Sequence, residues 1–262
     1  MTSYRRATTR ADLALTPGER VLGGGTWLYS EPQPATTGLV DLTTMDWAPF
    51  EVTAAGLRIG ATCTIAALAD LPARDGWRAQ PLFAQCAGAL LASRKVWEVA
   101  TVGGNVCQSF AAAGMVSLAV ALDGEALVWR PDGGEYRVPV EDLITGNGTN
   151  ALRPGEVLRA VDLPDRALRA RTAYRKIALA ELGRSGAVLT GRIDENGWAV
   201  LTVTAATWRP TVLRFAELPT AAGLSEALDA VEGWYTDPLG TADWREQVSR
   251  VLLAEIRAEL AA

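Results

Sequence analysis

Two glycine-rich stretches hold the residues best suited to chemistry: Gly23-Gly24-Gly25-Thr26 and Thr101-Val102-Gly103-Gly104-Asn105. Each follows a short apolar run, Val21-Leu22 before the first and Val99 to Val102 leading into the second, and each precedes residues able to begin a helix. Glycine tolerates positive φ and lets backbone N–H groups come close to an oxygen, while a helix N-terminus adds positive potential. Read as a pair, the stretches predict two clamps on one anionic ligand, of which a pyrophosphate is the natural example. Either stretch alone also reads as an ordinary turn.

The remaining chemical inventory is sparse. The chain has no histidine, which excludes a Ser-His-Asp triad, an imidazole base and a histidyl-linked cofactor. Cys63, Cys86 and Cys107 lie 23 and 21 residues apart, with no C-x-x-C pair, so they read as buried thiols rather than zinc or iron–sulfur ligands. The stretch from Gly23 to Leu28 lacks the third glycine of G-x-G-x-x-G, and Lys95 and Lys176, the only lysines, do not form a phosphate loop. Asp41, Asp123 and Glu125 flank strand ends and turns, where carboxylates are structural rather than a glycosidase pair. Chemistry carried by a bound cofactor is favoured by this elimination.

Composition narrows the partners. With 262 residues, 49% of them apolar, the chain can bury a large core, either in one large domain or in two to three small ones. A net charge of −5 argues against a general polyanion surface, so no nucleic-acid partner is expected. Nine tryptophans read as core and interface residues in such an acidic chain. No run of about 18 apolar residues is present, and the N-terminus lacks a secretory apolar region. No membrane span is therefore expected, and the cytoplasm is the expected location.

The elements that must position the two stretches form an α+β pattern. Residues 20–25 read as a strand entering the first glycine turn, residues 26–29 as the first turn of a helix stopped by Pro32 and Pro34, and residues 38–42 as a second strand. A strand at 57–61, helices at 65–69 and 81–92, and an apolar helix at 114–122 surround the second stretch. Pro131-Asp132-Gly133-Gly134 signals a hairpin, and residues 157–163 form a strand after a third glycine-rich loop, Gly146 to Asn150. The charged residues between Pro164 and Arg171 mark a boundary with little to pack. Strands at 172–177 and 197–207 and helices at 221–231 and 243–260 complete the chain.

In order and spacing these stretches resemble the FAD-binding (medium) subunit of the xanthine dehydrogenase and carbon monoxide dehydrogenase family of molybdenum hydroxylases. Gly23-Gly24-Gly25-Thr26 is similar to the family's A-G-G-T, and Leu39-Val40-Asp41-Leu42 to its L-V-D-L. Leu57 to Thr62 resembles L-x-I-G-A-x-T, and Ala100 to Asn105 resembles A-T-[IV]-G-G-N. Ala121-Leu122-Asp123 fits A-L-D, and Thr145 to Glu156 resembles T-G-x-G-x-x-A-L-x-P-G-E. The match runs through about residues 1 to 165, with weaker similarity at Ala173 to Lys176 and Trp208 to Thr211.

The resemblance implies a two-lobed FAD-binding domain at 1–165, with lobes at about 1–52 and 53–165, and a C-terminal domain of antiparallel strands and helices at 166–262. It implies non-covalent FAD, with Gly23, Gly24, Gly25, Thr26, Trp27, Thr101, Gly103, Gly104, Asn105 and Lys176 at the cofactor. It implies an FAD-dependent oxidoreductase subunit that passes electrons from an iron–sulfur subunit, itself fed by a large subunit containing the molybdenum cofactor, to a final acceptor. Trp97 is then a candidate anchor for the partner surface. A stand-alone FAD-dependent oxidoreductase and a non-catalytic binding or scaffold protein with a decayed FAD site are the alternative classes.

Four departures bear on the site. Lys95-Val96-Trp97-Glu98 stands where relatives have Q-I-R-N, and Phe110 to Gly114 where they have S-P-A-A-D, which removes an aspartate that contacts the cofactor's sugar. Trp27 replaces the aspartate of A-G-G-T-D-L, and Leu179-Ala180 replaces a pair of arginines.

Overall fold

The computed structural model describes residues 3–262. The chain opens with β1 (Ser3–Arg6), β2 (Glu19–Leu22) and β3 (Gly38–Asp41), a parallel sheet in the order β1-β3-β2. β3 is buried along its whole length, as expected of a central parallel strand. No helix covers the crossover from β2 to β3. Residues 26–30 form hydrogen-bonded turns instead of the expected helical turn, with the Tyr29 N–H donating to the Gly25 carbonyl at 2.9 Å. Too few residues separate Gly25 from Pro32 for a helix to recover the entropy of its nucleus.

The second layer begins with the hairpin of β4 (Phe50–Thr53) and β5 (Gly56–Gly60). β4 spans the position between residues 52 and 53 at which the sequence divides the first two lobes, and it pairs into the second sheet. Then come α1 (Ile65–Ala69), α2 (Pro81–Ala87), α3 (Arg94–Trp97), α4 (Val102–Gln108) and α5 (Gly114–Ala121). The hairpin of β6 (Glu125–Trp129) and β7 (Glu135–Pro139), the short α6 (Val140–Leu143), the small hairpin of β8 (Ile144–Gly146) and β9 (Thr149–Asn150), and β10 (Val157–Pro164) follow. Five of these strands form an antiparallel sheet in the order β4-β5-β10-β6-β7. Its core joins Leu57, Ile59 and Val161 to Leu82, Phe83 and Leu118 from the helices. Every residue of α5 is buried, as its uniformly apolar sequence requires. The charged segment after β10 is α7 (Asp165–Arg169), and it does pack: Ala167 and Leu168 enter this same core.

The third layer is a meander of β11 (Arg171–Ile177), β12 (Ala187–Ile193), β13 (Ala199–Thr204) and β14 (Thr211–Phe215), followed by α8 (Ala221–Asp229) and α9 (Ala242–Ala261). Ile256 and Leu260 of α9 press on Gly191 of β12, where an added Cβ would lie 2.4 Å from the Ile256 Cγ2. Arg192, 1% exposed, ties this sheet to the second layer by donating to the Ala121 carbonyl at 2.7 Å and pairing with Asp123 and Asp194. The first two layers meet at Trp47 and Trp129, whose rings contact edge-on at 5.4 Å, with the Arg159 guanidinium 4.5 Å from the Trp47 ring. Tryptophans thus serve as joints between layers. Among the described residues no helix is long and apolar enough to cross a membrane, and no group of His, Cys, Asp or Glu could hold a metal ion.

Candidate functional site

The two glycine stretches, 76 positions apart in sequence from Gly25 to Thr101, touch each other. β2 delivers Gly23 and Gly24 against the segment that enters α4. A Cβ on Gly24 would lie 1.8 Å from the Val99 carbonyl oxygen, and one on Gly23 would lie 2.7 Å from Thr101 Oγ1. Only glycine permits this contact. Gly25 then turns the chain with φ +70°, in the left-handed region. Beyond the strand, the backbone N–H groups of Gly24, Gly25, Thr26 and Trp27 donate to no protein acceptor among the described residues.

The second stretch is built differently. Thr101 is the N-cap of α4, and its hydroxyl accepts from the Gly104 N–H at 3.0 Å. The Val102 N–H donates to the Cys63 carbonyl at 2.8 Å, the Gly103 N–H to the Ala61 carbonyl at 2.9 Å, and the Asn105 N–H to the Thr101 carbonyl at 3.0 Å. The amides expected to clamp a phosphate are already engaged. Neither glycine has positive φ. Gly103 is required because a Cβ would lie 2.5 Å from the Ala61 Cβ and 2.7 Å from its carbonyl oxygen. A Cβ on Gly104 would meet only Thr101 Oγ1, at 2.8 Å. Asn105 is engaged too, since its Oδ1 accepts from the Met115 N–H at 2.9 Å and so joins α4 to α5.

Both stretches face one cavity of about 600 Å³, within the range of cofactor sites. All nine residues expected on the stretches line it, from Gly23 through Trp27 and from Thr101 through Asn105 without Val102. Lys176 is not part of the lining. Its ammonium reaches the Gly88 carbonyl at 3.3 Å, two residues before Leu90 on the cavity wall. Trp97, a candidate anchor for a partner surface, lines the cavity, and its indole N–H is buried without a partner among the described residues. Cys107 also lines it, and burial pushes its thiol up to about 12, as it does the Cys63 and Cys86 thiols. Thiolates are therefore scarce near neutrality.

Gly114 belongs to packing rather than to the cavity. A Cβ there would lie 2.2 Å from the Cys86 carbonyl oxygen, so α5 sits too close to α2 for an aspartate at this position. A second, slightly larger groove of about 660 Å³ runs along the outer face of the five-stranded sheet. Its arginines and carboxylates pair with one another, as Arg58 and Arg137 do with Asp162, which leaves little to hold an anionic ligand.

The 600 Å³ cavity fits FAD on its own chemistry. Four unpaired amides supply donors for a diphosphate. The lining is otherwise mostly apolar, which suits flat ring systems. Its only charged residues, Glu19 and Arg20, are already engaged with Arg5 and Gln33.

Comparison with known proteins agrees. Residues 4–166 match the family described as the FAD binding domain in molybdopterin dehydrogenase. The chain is 27% identical over 226 residues to the putative xanthine dehydrogenase FAD-binding subunit XdhB of Escherichia coli K12, covering 81% of this chain and 76% of that protein. Among solved structures it superposes on a chain of quinoline 2-oxidoreductase from Pseudomonas putida 86 with a TM-score of 0.83 and 21% identity, covering 99% and 96% of the two chains. A chain of the reconstituted CO dehydrogenase from Oligotropha carboxidovorans gives the same TM-score at 23% identity, covering 98% of each. With the motifs, the family match and the convergent glycine cavity in agreement, the chain belongs to the family of the FAD binding domain in molybdopterin dehydrogenase.

Proposed function

We propose that this chain is the FAD-carrying, electron-transfer subunit of a cytoplasmic molybdenum-hydroxylase complex, placed between an iron–sulfur subunit and a final acceptor. The observation that carries the reading is the meeting of the two glycine stretches on one cavity, with the amides of Gly24 to Trp27 unpaired. Bound FAD supplies the redox chemistry. The chain's own task is to hold it. The first stretch donates backbone hydrogen bonds to the diphosphate, and α4 supplies the rigid surface against which those donors are set. Trp97, Leu90 and Leu91 exclude water along the wall. Lys176, anchored at the Gly88 carbonyl, stands outside this set.

The proposed role is tested by turnover. The purified, FAD-loaded chain, mixed with candidate organic substrates and oxygen, is expected to show no activity above the free-FAD background. Adding the iron–sulfur and molybdenum subunits is expected to produce it. Steady turnover by the isolated chain would overturn the subunit reading and establish a stand-alone oxidoreductase.

A further inference from the structure

The third glycine-rich loop, Gly146 to Asn150, and the rings of two aromatic departures from the family pattern, Trp27 and Phe110, have no part in the diphosphate contacts. They converge in space. The Trp27 and Phe110 rings meet edge to face, with centroids 4.7 Å apart and planes at 70°, and both line the cavity. One comes from the first stretch and the other from the segment just after α4. Together they bridge the two glycine elements. Trp27 nonetheless remains 39% exposed, so indole surface is left uncovered beside the cavity.

Phe110 is held firmly. α4 ends at Ser109, a buried non-glycine residue with φ +54°, a conformation that persists only where its surroundings enforce it. The third loop does so from both sides of Phe110. The Gly148 N–H donates to the Ser109 carbonyl at 2.8 Å, and Asn147 Oδ1 accepts from the Ala111 N–H at 3.0 Å. Asn150 Nδ2 donates to the Cys107 carbonyl at 2.9 Å and to Ser109 Oγ at 3.0 Å. Trp27 is fixed through its carbonyl, which accepts from the Ser30 N–H at 3.0 Å and the Ser30 hydroxyl at 2.9 Å.

We infer that Trp27 and Phe110 form an aromatic clamp that stacks on a flat heteroaromatic ring of the bound dinucleotide, and that the third glycine-rich loop holds Phe110 in that clamp. The inference rests on the FAD reading above. A lining whose only two charged residues are engaged elsewhere must draw affinity from backbone donors and ring contacts. Aromatic stacking tolerates any ring that presents a π face.

The test is calorimetric titration of the parent, Trp27→Ala, Trp27→Phe, Phe110→Ala and Asn147→Ala with FAD, FMN and ADP, each variant checked for a parent-like melting temperature. Trp27→Ala and Phe110→Ala are expected to raise the FAD Kd about tenfold or more, while Trp27→Phe stays near the parent. Asn147→Ala is expected to weaken FAD by a smaller factor and to add nothing in the Phe110→Ala background, the signature of action through Phe110. Losses shared by FAD and ADP assign the clamp to adenine; losses shared by FAD and FMN assign it to the isoalloxazine. If the parent binds FAD and both alanine variants bind all three ligands equally well, the clamp is refuted and the FAD reading stands. If the parent binds no FAD, both fall.

Discussion

Gly24 and Gly103 are both glycines because backbone presses on them, yet the two stretches they belong to do opposite things with their amides. The first leaves the N–H groups of Gly24 to Trp27 unpaired in a set of turns. The second uses those of Val102, Gly103 and Gly104 to fasten the start of α4 to Ala61, Cys63 and its own Thr101 cap. Similar composition hides different physics. One stretch offers donors to a ligand, and the other supplies the rigid surface against which those donors are set. A glycine motif specifies a close approach first, and an anion site only where hydrogen-bond donors remain.

The largest expected effect comes from forcing the two stretches apart. Gly24→Ala places a methyl 1.8 Å from the Val99 carbonyl oxygen, a backbone atom that cannot rotate away. Overpacking costs about 1–3 kcal/mol. Denaturant unfolding is expected to show that loss, and flavin absorbance after incubation with excess FAD is expected to show no binding.

Gly104→Val separates fold from ligand. A Cβ at this cavity-lining position meets only the Thr101 hydroxyl, so the melting temperature should change little while FAD binding is lost. The effect is steric alone, because Gly104 is helical and needs no positive φ. Retention of parent-level FAD binding would show that α4 does not approach the cofactor.

Thr101→Ala runs the other way. Removing an N-cap hydroxyl costs about 1 kcal/mol of stability. It also frees the Gly104 N–H, so FAD affinity is expected to hold even as the midpoint of urea unfolding falls. A proportional loss of affinity would mean that the Thr101 hydroxyl itself touches the ligand.

The smallest effect is an acid response confined to the lobe that carries the first stretch. Hydrogen bonds from Arg5 and the Thr16 N–H hold the Glu19 carboxyl down at about 2, and the Thr8 and Thr9 N–H groups hold Asp12 at about 2. Because both folded values lie below the ordinary carboxylate range, this stabilisation is in place above pH about 4 and disappears as pH falls through about 2. Glu19→Gln should therefore lower the melting temperature near neutrality, and the difference from the parent should close on acidification. The second stretch, held by neutral groups, should not follow.

Much of the scaffold was legible. The hairpin of β6 and β7, the apolar α5, β10 and the long α9 each follow from turn chemistry or apolar periodicity, and the pairing of the glycine stretches predicted one shared cavity. β12 was not legible, because Thr190, Gly191 and Arg192 interrupt its apolar run for reasons supplied from outside it. Thr190 meets the Thr202 hydroxyl at 2.6 Å, Gly191 makes room for Ile256, and Arg192 carries its charge into a buried network. α7 read as a polar boundary because its three charged residues outnumber Ala167 and Leu168 in the linear count, although only the latter two face the core. Around the cavity, nine of the residues expected from sequence share one lining, but the state of their amides was not legible. That state depends on Ala61 and Cys63, whose carbonyls reach α4 from a different element. Lys176 was placed by likeness alone, and its side chain lies outside the cavity lining.

The most direct measurement is amide hydrogen exchange, resolved by residue, on the chain with and without FAD. The Gly24, Gly25, Thr26 and Trp27 amides are expected to exchange fast in the free chain and to become protected when FAD is bound, while Val102 and Gly103 are protected throughout. Protection that appears at Val102 to Gly104 on binding, with the first stretch unchanged, would contradict this expectation.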